Sequence, residues 1–177
     1  GMSETASHIA LRKLNPPENE DSPGEAPAFQ ALPGITLEQD KNDCLVVYVP
    51  FLSKDPIQTN DLVSMQDAQS FYWLGRADHI VNSGGVKLVP ELLETRLEPI
   101  LNRRFFLTGI PDTVLGEKLV LVAEGKPDEE LMAKVQESGL LEKYEVPKAV
   151  YFLGTFKEGK SGKIQRPEIL RELFKGE

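Results

Sequence analysis

Two lysines near the C-terminal end of the chain have the residue type and the setting to act on charged substrates. Lys160 and Lys163 stand among Gly159, Ser161 and Gly162, and small residues of this kind favour a loop from which long side chains project. A lysine ammonium is a compact cation with three hydrogen-bond donors. It can bridge a carboxylate oxygen and an α-phosphate, and so stabilise the transition state as charge moves toward pyrophosphate. The alternative interpretation of the same residues is a solvated basic loop.

The run from Gly154 to Ser161 also matches the phosphate-binding pattern G-x-x-x-x-G-K-[ST], and it follows a predicted strand. In that motif a helix begins at the Gly-Lys-Ser, so that its N-terminus faces the phosphates. Pro167 would interrupt such a helix after barely two turns. We therefore disfavour a P-loop and favour a loop with projecting lysines.

The other polar and aromatic candidates have ordinary interpretations when each is taken alone. Asp61 and Arg76 are typical of a turn and of a protein surface. His8 and His79 lack a second histidine or a carboxylate at metal-ligand spacing, which indicates surface or locally paired residues. The aromatic run from Phe71 to Trp73 predicts strand packing rather than a base-stacking platform, because the chain is acidic.

Short apolar runs in the first part of the chain predict strands. They cover residues 44–49, 61–65 and 71–74, with turn signals between them at spacings suited to an antiparallel sheet, open or closed. Residues 15–34 are rich in Pro, Glu, Asp, Ser and Gly, and this composition predicts a loop. Cys44, the single cysteine, begins one of the apolar runs and is expected to be a small core residue.

Beyond residue 78 strands and helices alternate in a mixed order. Pro90 stands where a helix would begin, and the leucines that follow it recur on one helical face. Further strands are expected at 103–109, 118–123 and 148–153, with a break at Pro111-Asp112, and further helices at 127–138 and 167–174. This order predicts an α+β fold: a small C-terminal domain with helices on a short mixed sheet, preceded by a β-rich part, with a boundary at residues 76–78.

The charge and hydropathy of the chain narrow the choice of partners. A net charge of -8 leaves no basic stripe for a phosphate backbone or an anionic membrane surface, so we expect no nucleic acid and no membrane partner. No apolar run approaches the roughly 20 residues that span a bilayer, and the N-terminus lacks the pattern of a signal peptide. We therefore expect a cytoplasmic protein.

Several short motifs follow one another in a fixed order. They are Met2-Ser3-Glu4-Thr5, Thr59-Asn60-Asp61-Leu62, Gly75-Arg76-Ala77-Asp78, Ser83-Gly84-Gly85-Val86-Lys87 and Ser161-Gly162-Lys163-Ile164. In this order they resemble the motifs of the adenylate-forming acyl-CoA synthetases, the ANL superfamily. Within it the resemblance is greatest to the o-succinylbenzoate-CoA ligases of menaquinone biosynthesis. Asn60, His79 and Asn82 depart from the residues usual in that superfamily.

The resemblance implies roles in the adenylation step for five of these residues. Lys163 would be the catalytic lysine of the adenylation step. Ser3 would contact the phosphates of ATP, and Asp61 and Arg76 would contact its ribose. Glu4 would face Mg²⁺, a hard cation that prefers carboxylate oxygen.

The resemblance also implies a role for the residues that follow Arg76. Asp78 would be the hinge about which the small domain rotates between two half-reactions. Ser83, Gly84 and Gly85 would approach the pantetheine arm of coenzyme A, where glycine lets the backbone come close to a ligand. The parent enzyme would join a carboxylic acid to ATP and then transfer the acyl group to coenzyme A.

The resemblance finally implies how the chain is divided. Residues 1–76 would be a remnant of the N-terminal adenylation domain, and residues 77–177 would be the C-terminal lid domain. We expect the chain to be inactive without the missing N-terminal domain, and exposed strand edges in the remnant would favour a homodimer. Two alternatives remain: an adenylation domain that loads a carrier protein, and a noncatalytic binding module of the same fold.

Overall fold

The computed structural model describes residues 1, 5, 7–13 and 27–175. Within these ranges the chain forms two compact units, Gly1–Asp78 and His79–Glu177. None of the helices in the described ranges is long and apolar enough to cross a membrane. Ser3 and Glu4, for which the sequence predicts contacts with ATP and Mg²⁺, lie outside the described residues.

The first unit is built on one antiparallel sheet of six strands. They are β1 (Ala10–Leu11), β2 (Phe29–Ala31), β3 (Thr36–Gln39), β4 (Cys44–Tyr48), β5 (Ile57–Asp67) and β6 (Ser70–Arg76). The order across the sheet is β1-β2-β6-β5-β4-β3, and all five neighbouring pairs are antiparallel. The strands predicted at 44–49, 61–65 and 71–74 are confirmed as β4, β5 and β6.

The loop predicted over 15–34 is wrong at its C-terminal end, because Phe29–Ala31 form β2. Phe29 stacks on Phe71 of β6 with ring centroids 5.4 Å apart. This aromatic pair between neighbouring strands outweighs the turn-like composition of the segment. Cys44 is buried, as predicted, beside the core of this unit. The core consists of Ile9, Ala10, Ile35, Leu37, Leu45, Val47, Val49, Val63 and Phe71.

The second unit is a mixed five-stranded sheet with helices on both faces. Its elements are β7 (Val81–Ser83), β8 (Val86–Leu88), α1 (Pro90–Leu97), β9 (Phe105–Asp112), β10 (Gly116–Glu124), α2 (Leu131–Glu137), β11 (Val150–Leu153) and α3 (Arg166–Leu173). β10 lies at the centre. It pairs with β9 along one edge, antiparallel, and its other edge pairs with β7, antiparallel, and with β11, parallel.

The two-residue period of β10 directs its side chains to two separate cores. Leu119 and Leu121 pack with the leucines of α1 and α2 on one face. Val122 packs with Phe106 and with Ile169 of α3 on the other face. The predicted α+β fold with helices on a short mixed sheet is confirmed, and β10 is buried on both sides because helices cover both faces.

Two element boundaries differ from the sequence-based expectations. The break predicted at Pro111-Asp112 is wrong: β9 continues through Pro111, and the chain turns only after Asp112. β9 pairs with β10 alone, and an edge strand tolerates a proline, whose missing N–H faces away from the ladder. The helix predicted over 127–138 begins later, at Leu131.

Candidate functional site

Asp61 and Arg76 face each other across β5 and β6 in the first unit. The backbone N–H of Asp61 donates to Thr59 Oγ1 at 3.1 Å, and that hydroxyl donates to the Leu45 carbonyl at 2.8 Å. Trp73 Nε1 donates to Asp61 Oδ1 at 3.2 Å. The two residues for which the resemblance implies ribose contacts are therefore direct cross-strand neighbours, and the backbone of Asp61 is held by a threonine hydroxyl.

Arg76 also forms a two-point ion pair with Asp78. Its Nε and Nη2 atoms donate to Asp78 Oδ1 and Oδ2, each at 2.9 Å. Both side chains are about half exposed, and exposed pairs of this kind contribute little to stability. The structure thus pairs the predicted hinge residue with a predicted nucleotide contact through bonds that solvent can replace at low cost.

The aromatic run of β6 is only partly core. Phe71 is buried as the sequence predicts, but Trp73 is 42% exposed and its indole nitrogen bonds to Asp61. The expectation that Trp73 serves strand packing is therefore wrong. A register shift in the β5–β6 pairing, between Leu62 and Val63, leaves Leu74 without a cross-strand partner. Bulges of this type re-aim side chains next to functional sites.

Gly84 and Gly85 form the two-residue turn that joins β7 to β8 in the second unit. Both have positive φ, 59° and 84°, which matches the type I′ turn favoured in two-residue hairpins. The Gly84 N–H donates to the Leu115 carbonyl at 2.9 Å. A Cβ on Gly84 would lie 3.2 Å from the Leu115 side chain, whereas one on Gly85 would meet nothing within 4 Å. The turn is exposed, and at Gly85 a ligand could reach the backbone without a side chain in the way.

Lys163 lies on a tight loop between β11 and α3. The loop is closed by a bridge between Glu158 and Ile164 and by the bond from the Gly159 N–H to the Lys163 carbonyl at 2.9 Å. Gly162, with φ of 74°, makes the turn that places Lys163 at an exposed position. No hydrogen bond or ion pair to the Lys163 ammonium is found among the described residues. The P-loop alternative is wrong, because no helix begins at Gly159: α3 begins only at Arg166.

A partly buried cluster of ionic residues joins the start of α3, directly after the loop of Lys163, to α1. Arg166 Nη2 lies 2.8 Å from Glu94 Oε2, and Nη1 lies 3.8 Å from Glu91 Oε1. Glu94 Oε1 accepts the backbone N–H of Leu107 at 2.7 Å. His79 Nδ1 makes a short contact with Glu91 Oε1. Glu91 and Glu94 belong to α1, so the first turn of α3 is fixed on that helix.

The cluster shifts its two carboxyl groups in opposite directions. Burial raises the pKa of Glu94 above its ordinary value, despite the attraction of Arg166. Burial also acts to raise the pKa of Glu91, but the hydrogen bond to His79 and the charge of Arg166 bring it below the ordinary value. Sequence reasoning missed this cluster, since His79 was judged only by its spacing to metal ligands. Arg166, a basic residue three positions after Lys163, was the one available signal.

The Gly84-Gly85 turn and the Lys163 loop, the two candidate functional segments of the second unit, lie at opposite ends of β10. The Gly84-Gly85 turn adjoins its first residue, since Ser83 pairs with Gly116. The Lys163 loop is anchored at its last residue, because the Phe156 N–H donates to Glu124 Oε1 at 2.6 Å. A nine-residue strand is about 27 Å long. The turn and the loop therefore cannot both contact one reacting atom unless the second unit moves relative to that atom.

Comparison with known proteins identifies relatives of one kind, although no family model matches the chain. The curated 2-succinylbenzoate–CoA ligase of Bacillus cytotoxicus is 35% identical over 124 residues, which are 67% of this chain and 25% of that protein. The 4-hydroxybutyrate–CoA ligase 1 of Metallosphaera sedula is 29% identical over 118 residues, 63% of this chain and 21% of that protein. The chain spans about a quarter or less of the length of these curated relatives.

Solved structures agree with this result. The acyl-CoA synthetase (AMP-forming)/AMP-acid ligase II-like protein of Dyadobacter fermentans is 35% identical, with a TM-score of 0.53 over 98% of this chain and 49% of that chain. The o-succinylbenzoate CoA synthetase of Bacillus subtilis, solved with the acyl-adenylate OSB-AMP, has a TM-score of 0.75 over 96% of this chain and 40% of that chain. At 21% identity it bears on the fold alone. This chain is a homologue of the AMP-forming acyl-CoA ligases.

The chain shares the α+β fold of the matching region of that o-succinylbenzoate CoA synthetase structure. The geometry brings Asp61, Arg76 and Asp78 together in the first unit, and it places the Gly84-Gly85 turn and Lys163 at separate ends of the second. The described residues contain no cluster of three or more His, Cys, Asp or Glu side chains suited to a metal ion. The predicted Mg²⁺ contact therefore rests on Glu4 alone, outside those residues.

Proposed function

We propose that this chain supplies the C-terminal lid and the adjoining strands of an ATP-dependent acid–CoA ligase. In the first half-reaction the carboxylate attacks the α-phosphate of ATP, the bond to pyrophosphate breaks, and an acyl-adenylate forms. In the second, the thiol of coenzyme A attacks the acyl carbon, and AMP leaves. The separation of Lys163 and the Gly84-Gly85 turn along β10 carries this proposal, since it provides one surface for each half-reaction.

The chemistry of Lys163 suits the first half-reaction. A carboxylate and an α-phosphate repel each other as they approach, and an ammonium between them stabilises the charge that develops on the way to pyrophosphate. Lys163 is exposed on a loop whose base is fixed by Arg166, so its long side chain can reach outward while its backbone stays in place. Asp61 and Arg76 would hold the ribose, and Asp78 would take up the rotation of the lid.

The Gly84-Gly85 turn suits the second half-reaction. The narrow pantetheine arm of coenzyme A needs an approach to backbone without obstructing side chains, and Gly85 offers open space at its Cα. Since β7 and β8 continue into the sheet, the turn is presented by a rigid hairpin rather than by a free loop. The loop and the turn then act in sequence, one for each half-reaction.

We propose 2-succinylbenzoate as the acid, with menaquinone synthesis as the context. Support comes from two curated relatives that carry this name and are 34% and 35% identical to the chain, against 29% for the 4-hydroxybutyrate–CoA ligase. The test is pyrophosphate exchange into ATP by the full-length ligase with 2-succinylbenzoate, 4-hydroxybutyrate or sulfoacetate. We expect exchange to be strongest with 2-succinylbenzoate; a preference for either other acid would contradict this assignment and leave the ligase class intact.

A chimera tests the lid itself. This chain would replace the matching region of the Bacillus cytotoxicus ligase, and both half-reactions would be measured with that enzyme's own acid. We expect the chimera to form both the acyl-adenylate and the thioester. A folded chimera that performs neither half-reaction, next to an active parent ligase, would contradict the proposal.

A further inference from the structure

Among the described residues, the side chain of Asp61 accepts a hydrogen bond from the indole of Trp73. Trp73 Nε1 donates to Asp61 Oδ1 at 3.2 Å, from β6 to β5. Trp73 is 42% exposed, although a tryptophan of this size on a strand ordinarily buries most of its surface. Its packing in the core therefore does not explain its place, and its hydrogen bond points to a role at Asp61.

The backbone of the two strands is adapted to bring these side chains together. Asp61 pairs with Arg76 and Leu62 with Gly75, but Val63 pairs with Trp73 instead of Leu74. One extra residue on β6 therefore moves Trp73 a step closer to Asp61 than a regular ladder would. A bulge bends the strand and re-aims the side chain next to it.

We infer that Trp73 is a positioning residue that selects which oxygen of Asp61 meets a nucleotide ribose. An indole N–H only donates and reaches one oxygen of the carboxylate, so the other oxygen is not engaged by Trp73. No second hydrogen bond to the Asp61 carboxylate is found among the described residues, so Oδ2 can accept from the hydroxyls of a vicinal diol. Because the backbone N–H of Asp61 is already held by Thr59, both ends of the residue are fixed. This inference rests on the proposed function, which assigns the ribose to Asp61.

The first experiment concerns the contact itself and needs no activity. The 177-residue chain contains one tryptophan, so its spectrum has a single indole N–H resonance. In Asp61→Ala the acceptor is lost, and we expect that resonance to move upfield and to exchange faster with solvent. Tyr72→Phe, which alters the neighbouring aromatic residue of β6, should leave it in place. A resonance that is the same in the wild type and in Asp61→Ala overturns the inference.

The second experiment concerns the role, in the full-length ligase. Pyrophosphate exchange would be compared for ATP, 2′-deoxy-ATP and 3′-deoxy-ATP. We expect Trp73→Phe to reduce the preference for ATP by about tenfold, as the loss of one hydrogen bond to a charged group does. Asp61→Asn should reduce the preference at least as much, and the double variant should lose no more than Asp61→Asn alone. Tyr72→Phe serves as the control and should keep the wild-type preference.

The outcomes separate the two proposals. Trp73→Phe with an unchanged preference for ATP, while Asp61→Asn loses it, overturns the role of Trp73 and supports the ribose role of Asp61. Equal losses for all three nucleotides would mean that Trp73 acts on folding alone, which also overturns the inference. A full-length protein without exchange for any acid overturns the proposed function, and the ribose role of Trp73 with it, while the indole resonance would still report the contact.

Discussion

Arg166 Nη2 lies 2.8 Å from Glu94 Oε2, and 72 residues of sequence separate the two. This pair fixes the first turn of α3 on α1, and the loop that presents Lys163 ends one residue before it. Glu91, on the same face of α1, adds a second carboxylate, and its Oε2 atom is buried without a hydrogen-bond partner among the described residues. Arg166 thus compensates the charge of two carboxylates, of which Glu91 is buried and Glu94 is partly buried.

We expect Arg166→Met to destabilise the chain by about 2 kcal/mol, because removing one partner of a partly buried ionic cluster leaves uncompensated charge and lost hydrogen bonds. The measurement is urea unfolding of the 177-residue chain at neutral pH. Arg171→Met is the matched control, since Arg171 is an exposed residue of the same helix. Similar losses for the two variants would show that the cluster contributes no special stability.

The ion pair between Arg96 and Glu145 predicts a pH-dependent contribution to stability. Glu145 accepts two hydrogen bonds from Arg96, each at 2.9 Å, and one from the Glu142 N–H at 2.8 Å. Burial acts to raise the pKa of Glu145, but these donors bring it below its ordinary value. A lowered carboxyl pKa gives stability that is complete above the unfolded-state pKa of about 4.3 and is lost as the pH falls through the folded-state pKa.

We therefore expect Glu145→Gln to be less stable than the wild type by about 2 kcal/mol at pH 7, the usual contribution of hydrogen bonds to a charged group. The gap should narrow steadily below about pH 4.3, where the wild-type carboxyl takes up a proton. Unfolding curves at intervals from pH 7 to pH 3 give the measurement. A gap of constant size over that range would contradict the assignment of the contribution to the ionised pair.

The geometry of the Gly84-Gly85 turn predicts that the loss of folding stability on substituting Gly85 depends on the side chain introduced. Gly85 has φ of 84° and open space around its Cα, so only backbone strain opposes a substitution there. We expect Gly85→Ala to cost about 1–2 kcal/mol and Gly85→Asn less, because asparagine tolerates the left-handed region. Gly154→Ala is the control, since its Cβ also meets nothing within 4 Å and its φ is not positive. The measurement is the thermal unfolding midpoint of the three variants. Equal decreases of the midpoint in all three would contradict the positive φ assigned to Gly85.

Local patterns predicted the parts of the fold that depend on neighbouring residues. The continuous apolar run at Leu119–Ala123 indicated a strand, and it is the central strand β10 because both its faces are covered. Pro90 indicated the start of α1, since a proline at the first turn loses no hydrogen bond. β2 was missed because its support comes from the Phe29–Phe71 stack, 42 positions apart, which no local pattern contains.

The candidate site was predicted only in part, because sequence patterns identify residues but not the contacts between residues that are distant along the chain. Asp61, Arg76 and Lys163 were identified from their order along the chain, and the order says nothing of which side chains bond to each other. Trp73 was assigned to packing because an acidic chain disfavours a base-stacking platform, while the register shift beside it is set by the pairing of two strands. Arg166 and Glu94 meet only after α1 and α3 have packed on opposite faces of the sheet, where both side chains also bond to the backbone of Leu107 in β9, so their contact could not be predicted from spacing.

The single cysteine gives a test of the core of the first unit. Cys44 is buried, and burial together with the charges of Asp40, Asp43 and Asp61 raises the pKa of its thiol. Since the thiolate is the reactive form, we expect Ellman's reagent to modify the folded chain at least tenfold more slowly than the urea-unfolded chain at pH 8. A folded chain that reacts as fast as the unfolded one would contradict the described position of β4.

Lys163→Ala should separate the two half-reactions of the full-length ligase. Its ammonium is proposed to act only while the carboxylate meets ATP, and the loss of one preorganised donor of this kind lowers the rate by about 10²–10³-fold. We therefore expect pyrophosphate exchange to fall by that factor, while thioester formation from a supplied acyl-adenylate and coenzyme A stays within a few-fold of the wild type. Lys160→Ala, on the same loop, is the control and should change neither reaction. Equal losses in both half-reactions would mean that Lys163 supports the loop and not the chemistry, since a group used only in adenylation cannot slow a step that begins after it.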